Sequence, residues 1–231
     1  MIKSFLIIIS FPILLVSSQQ IVLVVAKDMN TSHAKLQCFE DGQQLFDTIN
    51  VNLGKNGLGW GIGKVPLVDA SNKNIIKYEG DKKAPAGIFE LLAIFGYSQK
   101  SNYNLPYLYA SQDLICVDDG NSSFYNQIIT PKHKEKSFEY MRRKDNQYKI
   151  GIVVGHNQEA KRGRGSCIFM HIEHSTDVPT VGCTSMKESD IKKIAQWLDK
   201  DKKPILIQIP KSTAKKVLKL YPELKSSKLL Y

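Results

Sequence analysis

The sequence predicts a mainly β domain with peripheral helices. Two observations carry this. Short apolar runs rich in β-branched residues, bounded by glycine or polar turns, recur through most of the chain. The spacing of an amphipathic helix emerges only late, after residue 185.

The elements follow in order. IVLVVA (21–26) and AKLQCFE (34–40) flank the polar turn DMNTSH and predict a hairpin. NVNLGKNGLGWGIG (50–63) carries five glycines, at 54, 57, 59, 61 and 63. It has the composition of a phosphate-cradling loop, but no strand–loop–helix unit follows, so it reads as a flexible surface segment and dinucleotide binding is set aside. APAGIFELLAIFGY (84–97) predicts a turn at Pro85 to Gly87 and then a short apolar strand. KIGIVVGHN (149–157) and SCIFMHIE (166–173) predict two more strands. Ser185 and Glu188 have capping-box spacing, and Ile191, Ile194, Ala195 and Leu198 recur as the apolar face of a helix. KPILIQIP (203–210) predicts a final strand and residues 212–220 a short basic helix.

Residues 1–18, MIKSFLIIISFPILLVSS, have one early cation at Lys3, an apolar run and small residues before position 19. That is the pattern of a secretory signal cleaved after Ser18, and the run is short for a membrane span. An uncleaved anchor or a buried first helix is the alternative. The remaining segment, 19–231, has no linker, repeat or low-complexity tract and reads as one domain.

The chain has 32 basic and 22 acidic residues, net +10, and loss of Lys3 with the signal leaves +9. No basic stripe interleaved with aromatics appears, which argues against nucleic acid as a partner. An exported, basic chain suits an anionic wall or peripheral contact with the envelope. Oligomeric state is not legible.

One constellation carries chemistry. PTVGCTSM (179–186) places Cys183 after Gly182, twelve residues past His171 in SCIFMHIE. Alternation on a strand puts Cys167, Phe169 and His171 on one face and Ile168, Met170 and Ile172 on the other. The loop HSTDVPTVG is short enough to return Cys183 to the histidine. Gly182 permits a tight turn exposing the cysteine and its amide. A thiol beside an imidazole can form a thiolate–imidazolium pair, and the Gly182 and Cys183 amides can hold an oxyanion. A buried free cysteine and a core histidine fit the spacing equally well.

Other candidates are weaker. A metal site from His171, His174 and Cys183 lacks a fourth ligand, and Cys167 lies roughly 13 Å from His171 along a regular strand. Asp118 and Asp119 read as a strand-end turn, and His156 as a loop residue.

The stretch Thr180-Val181-Gly182-Cys183, with His171 upstream, resembles the signature of the L,D-transpeptidase catalytic-domain family. KYEGDKKAPAGIFELLAIFGY (77–97), CVDDGNSSFYNQII (116–129), GIVVGHN (151–157) and GRGSCIFMHI (163–172) are similar to further blocks of that family, so the likeness runs from about 21 to 209. It implies a β-sandwich of mixed sheets with peripheral helices. It also implies an extracytoplasmic enzyme on peptidoglycan stem peptides that needs no cofactor or metal. Carried over by position, Cys183 is the nucleophile and His171 the base. Gly182, Thr180 and Thr184 then belong to the oxyanion and substrate-binding turn. Two positions depart: many members have a histidine where Val181 stands and an arginine where Ser185 stands. Arg164, with Arg162, is a substitute for gripping a substrate carboxylate, or else a solvated basic turn. With Cys183 set apart, Cys38, Cys116 and Cys167 allow at most one disulfide. Cys116 and Cys167, both in strand-like blocks of the resemblance, are the expected pair in an exported chain.

Overall fold

The computed structural model describes residues 19–67, 75–132 and 135–231. Residues 1–18, read above as an export signal, lie outside them. The chain opens with β1 (Gln20–Ala26), β2 (His33–Glu40), β3 (Gln43–Gln44), β4 (Ile49–Asn52) and β5 (Leu58–Trp60). A long strand, β6 (Ala84–Gly96), is followed by the short β7 (Tyr107–Tyr109), β8 (Ile115–Val117), β9 (Ile128–Ile129) and β10 (Phe138–Tyr140). Then come β11 (Ile150–Val154), β12 (Phe169–Ile172), β13 (Thr184–Met186) and helix α1 (Glu188–Trp197). Strand β14 (Ile205–Pro210) and helix α2 (Ala214–Leu220) complete the chain's main elements.

Strand pairing follows the order β1-β14-β6-β11-β12-β13-β4-β2, and β2 pairs back with β1. The mixed sheet therefore closes on itself in a barrel-like ring, where two stacked sheets of a sandwich were expected. Its β1–β14 and β12–β13 ladders are parallel, the others in the ring antiparallel. A separate three-stranded sheet, β10-β8-β9, stands apart from the ring. The disulfide Cys116–Cys167 bridges 51 residues and ties β8 to the approach of β12.

Alternation decides which core each residue joins. Ile168 and Met170 enter the larger apolar cluster, which also takes Ile191, Ile194 and Ala195 of α1. Cys167 and Phe169 enter a smaller one with Phe95, Cys116, Met141, Tyr148 and Cys183.

Four local expectations change. The glycine-rich segment is not a surface loop: Leu53 and Leu58 are fully buried and Trp60 nearly so. It forms β4's end and β5, which runs parallel to the start of β6. Its glycines serve close backbone approach, since a Cβ on Gly54 would lie 2.4 Å from the Lys82 carbonyl oxygen. Pro85 to Gly87 is not a turn but the first part of β6, where that pairing holds the chain extended. SCIFMHIE is a strand only from Phe169, because Cys167 has a φ of 53°, with its amide held by Asn126 Oδ1. Ser185 does not cap α1. It pairs with His171 and Asn52 inside the sheet, and Lys187 stands at the helix start without a side-chain cap. The polar turn DMNTSH is as expected, with Asp28 Oδ1 accepting from the Asn30 and Thr31 amides.

Candidate active site

Strand β12 carries His171, and the turn before β13 carries Cys183; the parallel ladder sets His171 opposite Ser185, two residues beyond the cysteine. Thr180 shapes that turn. Its hydroxyl donates to the Cys183 carbonyl at 2.7 Å and accepts from the Gly182 amide at 3.1 Å. Its backbone is anchored by Leu53 and Lys55 of the glycine-rich segment. Gly182 has a φ of +152°, a conformation L side chains rarely adopt, so the turn needs glycine there. Of the two amides expected to hold an oxyanion, that of Gly182 is engaged by Thr180. The Cys183 amide has no acceptor among the described residues.

Cys183 is buried, not exposed as the sequence suggested. Its Sγ accepts from the Phe169 amide at 3.4 Å and donates to the Cys167 carbonyl at 3.7 Å. Burial, with the Glu139 charge adding, pushes the thiol up to about 12. His171 is equally enclosed, and burial pulls it down to about 4. Its Nδ1 lies 2.8 Å from the Ile172 carbonyl, which only accepts, so Nδ1 carries the proton and Nε2 is the basic nitrogen. No hydrogen bond joins the two side chains. The resting site therefore holds a thiol and a neutral imidazole, because desolvation outweighs the gain of a thiolate–imidazolium pair.

Both residues open onto one cavity of about 350 Å³, lined also by Glu139, Arg143, Asp145 and Tyr148. Its lip is Val178 to Val181. A larger cavity, about 620 Å³, is lined by His33, Asn52, Glu173 and Asp190 among others. Neither Cys183 nor His171 borders it, so the candidate site is the smaller cavity.

The guanidinium in the cysteine cavity is Arg143, not Arg164. Arg143 grips Asp145 through Nε and holds that carboxylate down to about 2. It also lies over the Tyr148 ring at 5.0 Å. Arg164 donates to the Lys77 carbonyl at 3.2 Å and lies over Tyr78; neither it nor Arg162 lines the cavity. Thr184 faces away as well: its hydroxyl donates to Gln208 Oε1, joining β13 to β14. His156 is a loop residue but a buried one, accepting from the Ile62 amide through Nδ1 and donating to the Arg164 carbonyl through Nε2. His174 lines the cavity, and among the described residues no group of three or more His, Cys, Asp or Glu can hold a metal ion.

Sequence reasoning missed Glu139, Arg143, Asp145 and Tyr148. The only signal was the basic cluster around 132–144, which contains Arg143 but gives no spacing to single it out.

The class is thus a mainly β domain in which a buried cysteine at a Gly-Cys corner and a strand-borne histidine line one cavity. The profile of the L,D-transpeptidase catalytic domain matches residues 20–207, and the chain belongs to that family, which acts on peptidoglycan stem peptides. No curated protein and no solved structure matches the chain.

Proposed function

We propose that the protein is a cysteine acyl-transferase on peptidoglycan stem peptides, an L,D-transpeptidase. The observation that carries this is Cys183 and His171 on one cavity within the family-matched span. Substrate entry displaces the thiol from the Cys167 carbonyl. The thiol proton passes to His171 Nε2 as sulfur attacks the amide carbonyl after the L-centre of diaminopimelate. The C–N bond breaks, and the imidazolium returns the proton to the departing amine of the terminal D-residue. The Cys183 amide, free of other acceptors, faces the developing oxyanion. An amine of a second stem resolves the acyl-enzyme into a cross-link.

Water in place of that amine makes the protein an L,D-carboxypeptidase; a wall-binding protein without turnover is the remaining alternative. The intact cysteine, histidine and glycine favour chemistry. We assign the substrate carboxylate to Arg143, which lines the cavity; its Nε and Nη2 hold Asp145, and Nη1 is left for the substrate. The place of action is the periplasm or cell envelope, supported by the signal-like first 18 residues and by the disulfide.

Mass spectrometry of purified stem peptides incubated with the mature protein tests this. Loss of the terminal D-residue is expected, with or without a cross-linked dimer, and Cys183→Ala and Cys183→Ser abolish it while remaining folded. Turnover by either variant sinks the assignment. In the same assay Arg143→Ala weakens donor binding and Arg164→Ala does not; the reverse returns the carboxylate to Arg164.

A further inference from the structure

The cysteine cavity contains a carboxyl group that the proposed reaction does not use. Glu139 sits on β10 and lines the cavity with Cys183 and His171. It makes no ion pair among the described residues; its partner is the Tyr148 hydroxyl, which donates to Oε2 at 2.7 Å. Tyr148 in turn meets His171 edge to face, with ring centroids 5.3 Å apart. Phe169 and Phe95 close its other sides at 5.6 and 5.5 Å.

A second route runs from the same strand to the nucleophile. Glu139 pairs with Cys116 in the ladder, Cys116 is bridged to Cys167, and the Cys167 carbonyl accepts the Cys183 thiol. One residue thus stands at the junction of two short chains of contact, one ending on the imidazole and one on the thiol. A half-buried carboxyl without an ion-pair partner is costly to keep charged, and a neutral amide would serve as well if Tyr148 needed only an acceptor.

We propose that Glu139, through Tyr148, is a positioning residue for the Cys183–His171 pair, and that its negative charge opposes formation of the thiolate. The inference rests on the cysteine chemistry proposed above. Burial raises the Glu139 carboxyl, with Asp118 and Glu79 adding to the rise, while the Tyr148 hydroxyl and Arg143 oppose it. Cys183 feels the Glu139 charge as a push upward, partly countered by the Phe169 amide, Lys77 and Arg143. As pH rises through the Glu139 titration, a negative charge appears facing the thiol and makes its ionisation harder. Below that range the neutral carboxyl leaves the thiolate and the oxyanion unopposed.

The test is the pH profile of Cys183 alkylation by iodoacetamide on the mature, disulfide-intact protein, resolved from Cys38 by peptide mass spectrometry. Glu139→Gln keeps an acceptor for Tyr148 but cannot ionise. Its profile is expected to move to lower pH, with alkylation at a fixed pH near 8 at least about 3-fold faster, the scale of one unit charge several ångströms away even when screened as strongly as in water. Tyr148→Phe keeps the ring against His171 and deletes the donor that favours the carboxylate, so its profile moves the same way. This second variant decides the matter if Glu139→Gln does not fold. Profiles that superimpose on the parent, or move to higher pH, overturn the proposal. Alkylation needs no peptide substrate, so a parent that leaves stem peptides untouched refutes the enzyme assignment and leaves this result readable.

Discussion

His171 and Cys183 share one cavity as a neutral base and a neutral acid, and this has a kinetic signature. A preformed ion pair would give a thiol that alkylates rapidly at low pH. Here the thiol stands near 12 and the imidazole near 4, both through burial. The imidazole must be neutral to take the thiol proton, and a lowered pKa keeps it neutral further into acid. The acid limb of kcat/KM is therefore expected near pH 4, not near the 6.5 of a free histidine. His171→Ala should slow turnover by at least ~100-fold, the usual scale for a positioned base. Alkylation of resting Cys183 should barely change, because no ion pair exists to be lost. An acid limb near 6.5, or alkylation that collapses in His171→Ala, would contradict this picture. The two residues were legible because twelve positions of one segment bring them together. Their protonation was not, since it depends on Phe95, Met141 and Tyr148 closing over the site from other parts of the chain.

The elements that close over the site belong to the small sheet β10-β8-β9 and the stretch after it. Arg142 pins that stretch, donating to the Ala110 and Tyr97 carbonyls, and so presents Glu139 and Arg143 to the cavity. The disulfide is the covalent link between this sheet and β12. A bridge closing a loop of this length stabilises by about 4 kcal/mol in the chain-entropy account. Reductant normally protects a cysteine enzyme, but here it should impair one. Reducing Cys116–Cys167, or replacing both with serine, is expected to lower stability by about 2–4 kcal/mol. Turnover should fall further than that loss explains, because the small sheet that presents Glu139 and the Arg143 stretch is no longer tied to the approach of β12. Melting temperature and turnover, with and without reductant, check this; full activity in the double variant would leave the sheet without a role at the site. At this scale the apolar strands were readable from composition. Boundaries failed where pairing overrode local chemistry: Pro85 and Gly87 look like a turn until β5 pairs with them, and Ser185 looks like a cap until β13 takes it.

For the molecule as a whole, ring closure depends on β1 lying between β14 and β2, and its β14 partner is distant in sequence. No local pattern encodes such a contact, so a mixed sheet was legible and its closure was not. β1 also sets a limit on processing. Gln20 is fully buried, donates to Glu40 and the Trp197 carbonyl, and accepts from the Asp199 amide. Cleavage beyond Gln20 would cut these bonds and fray the strand on which closure depends. Cleavage after Ser18 leaves them intact and exposes only Gln19 ahead of the sheet. The resulting protein, at +9, would be drawn to an anionic wall or envelope, an attraction screened over about 10 Å at 0.1 M salt. The mature chain recovered from outside the cytoplasm should therefore begin at Gln19, and terminal sequencing reads this directly. Its release from envelope fragments should rise with salt. A chain beginning at Met1 and retained in the membrane would show residues 1–18 to be an anchor. The cavity chemistry would survive that result, but a freely diffusing periplasmic enzyme would not.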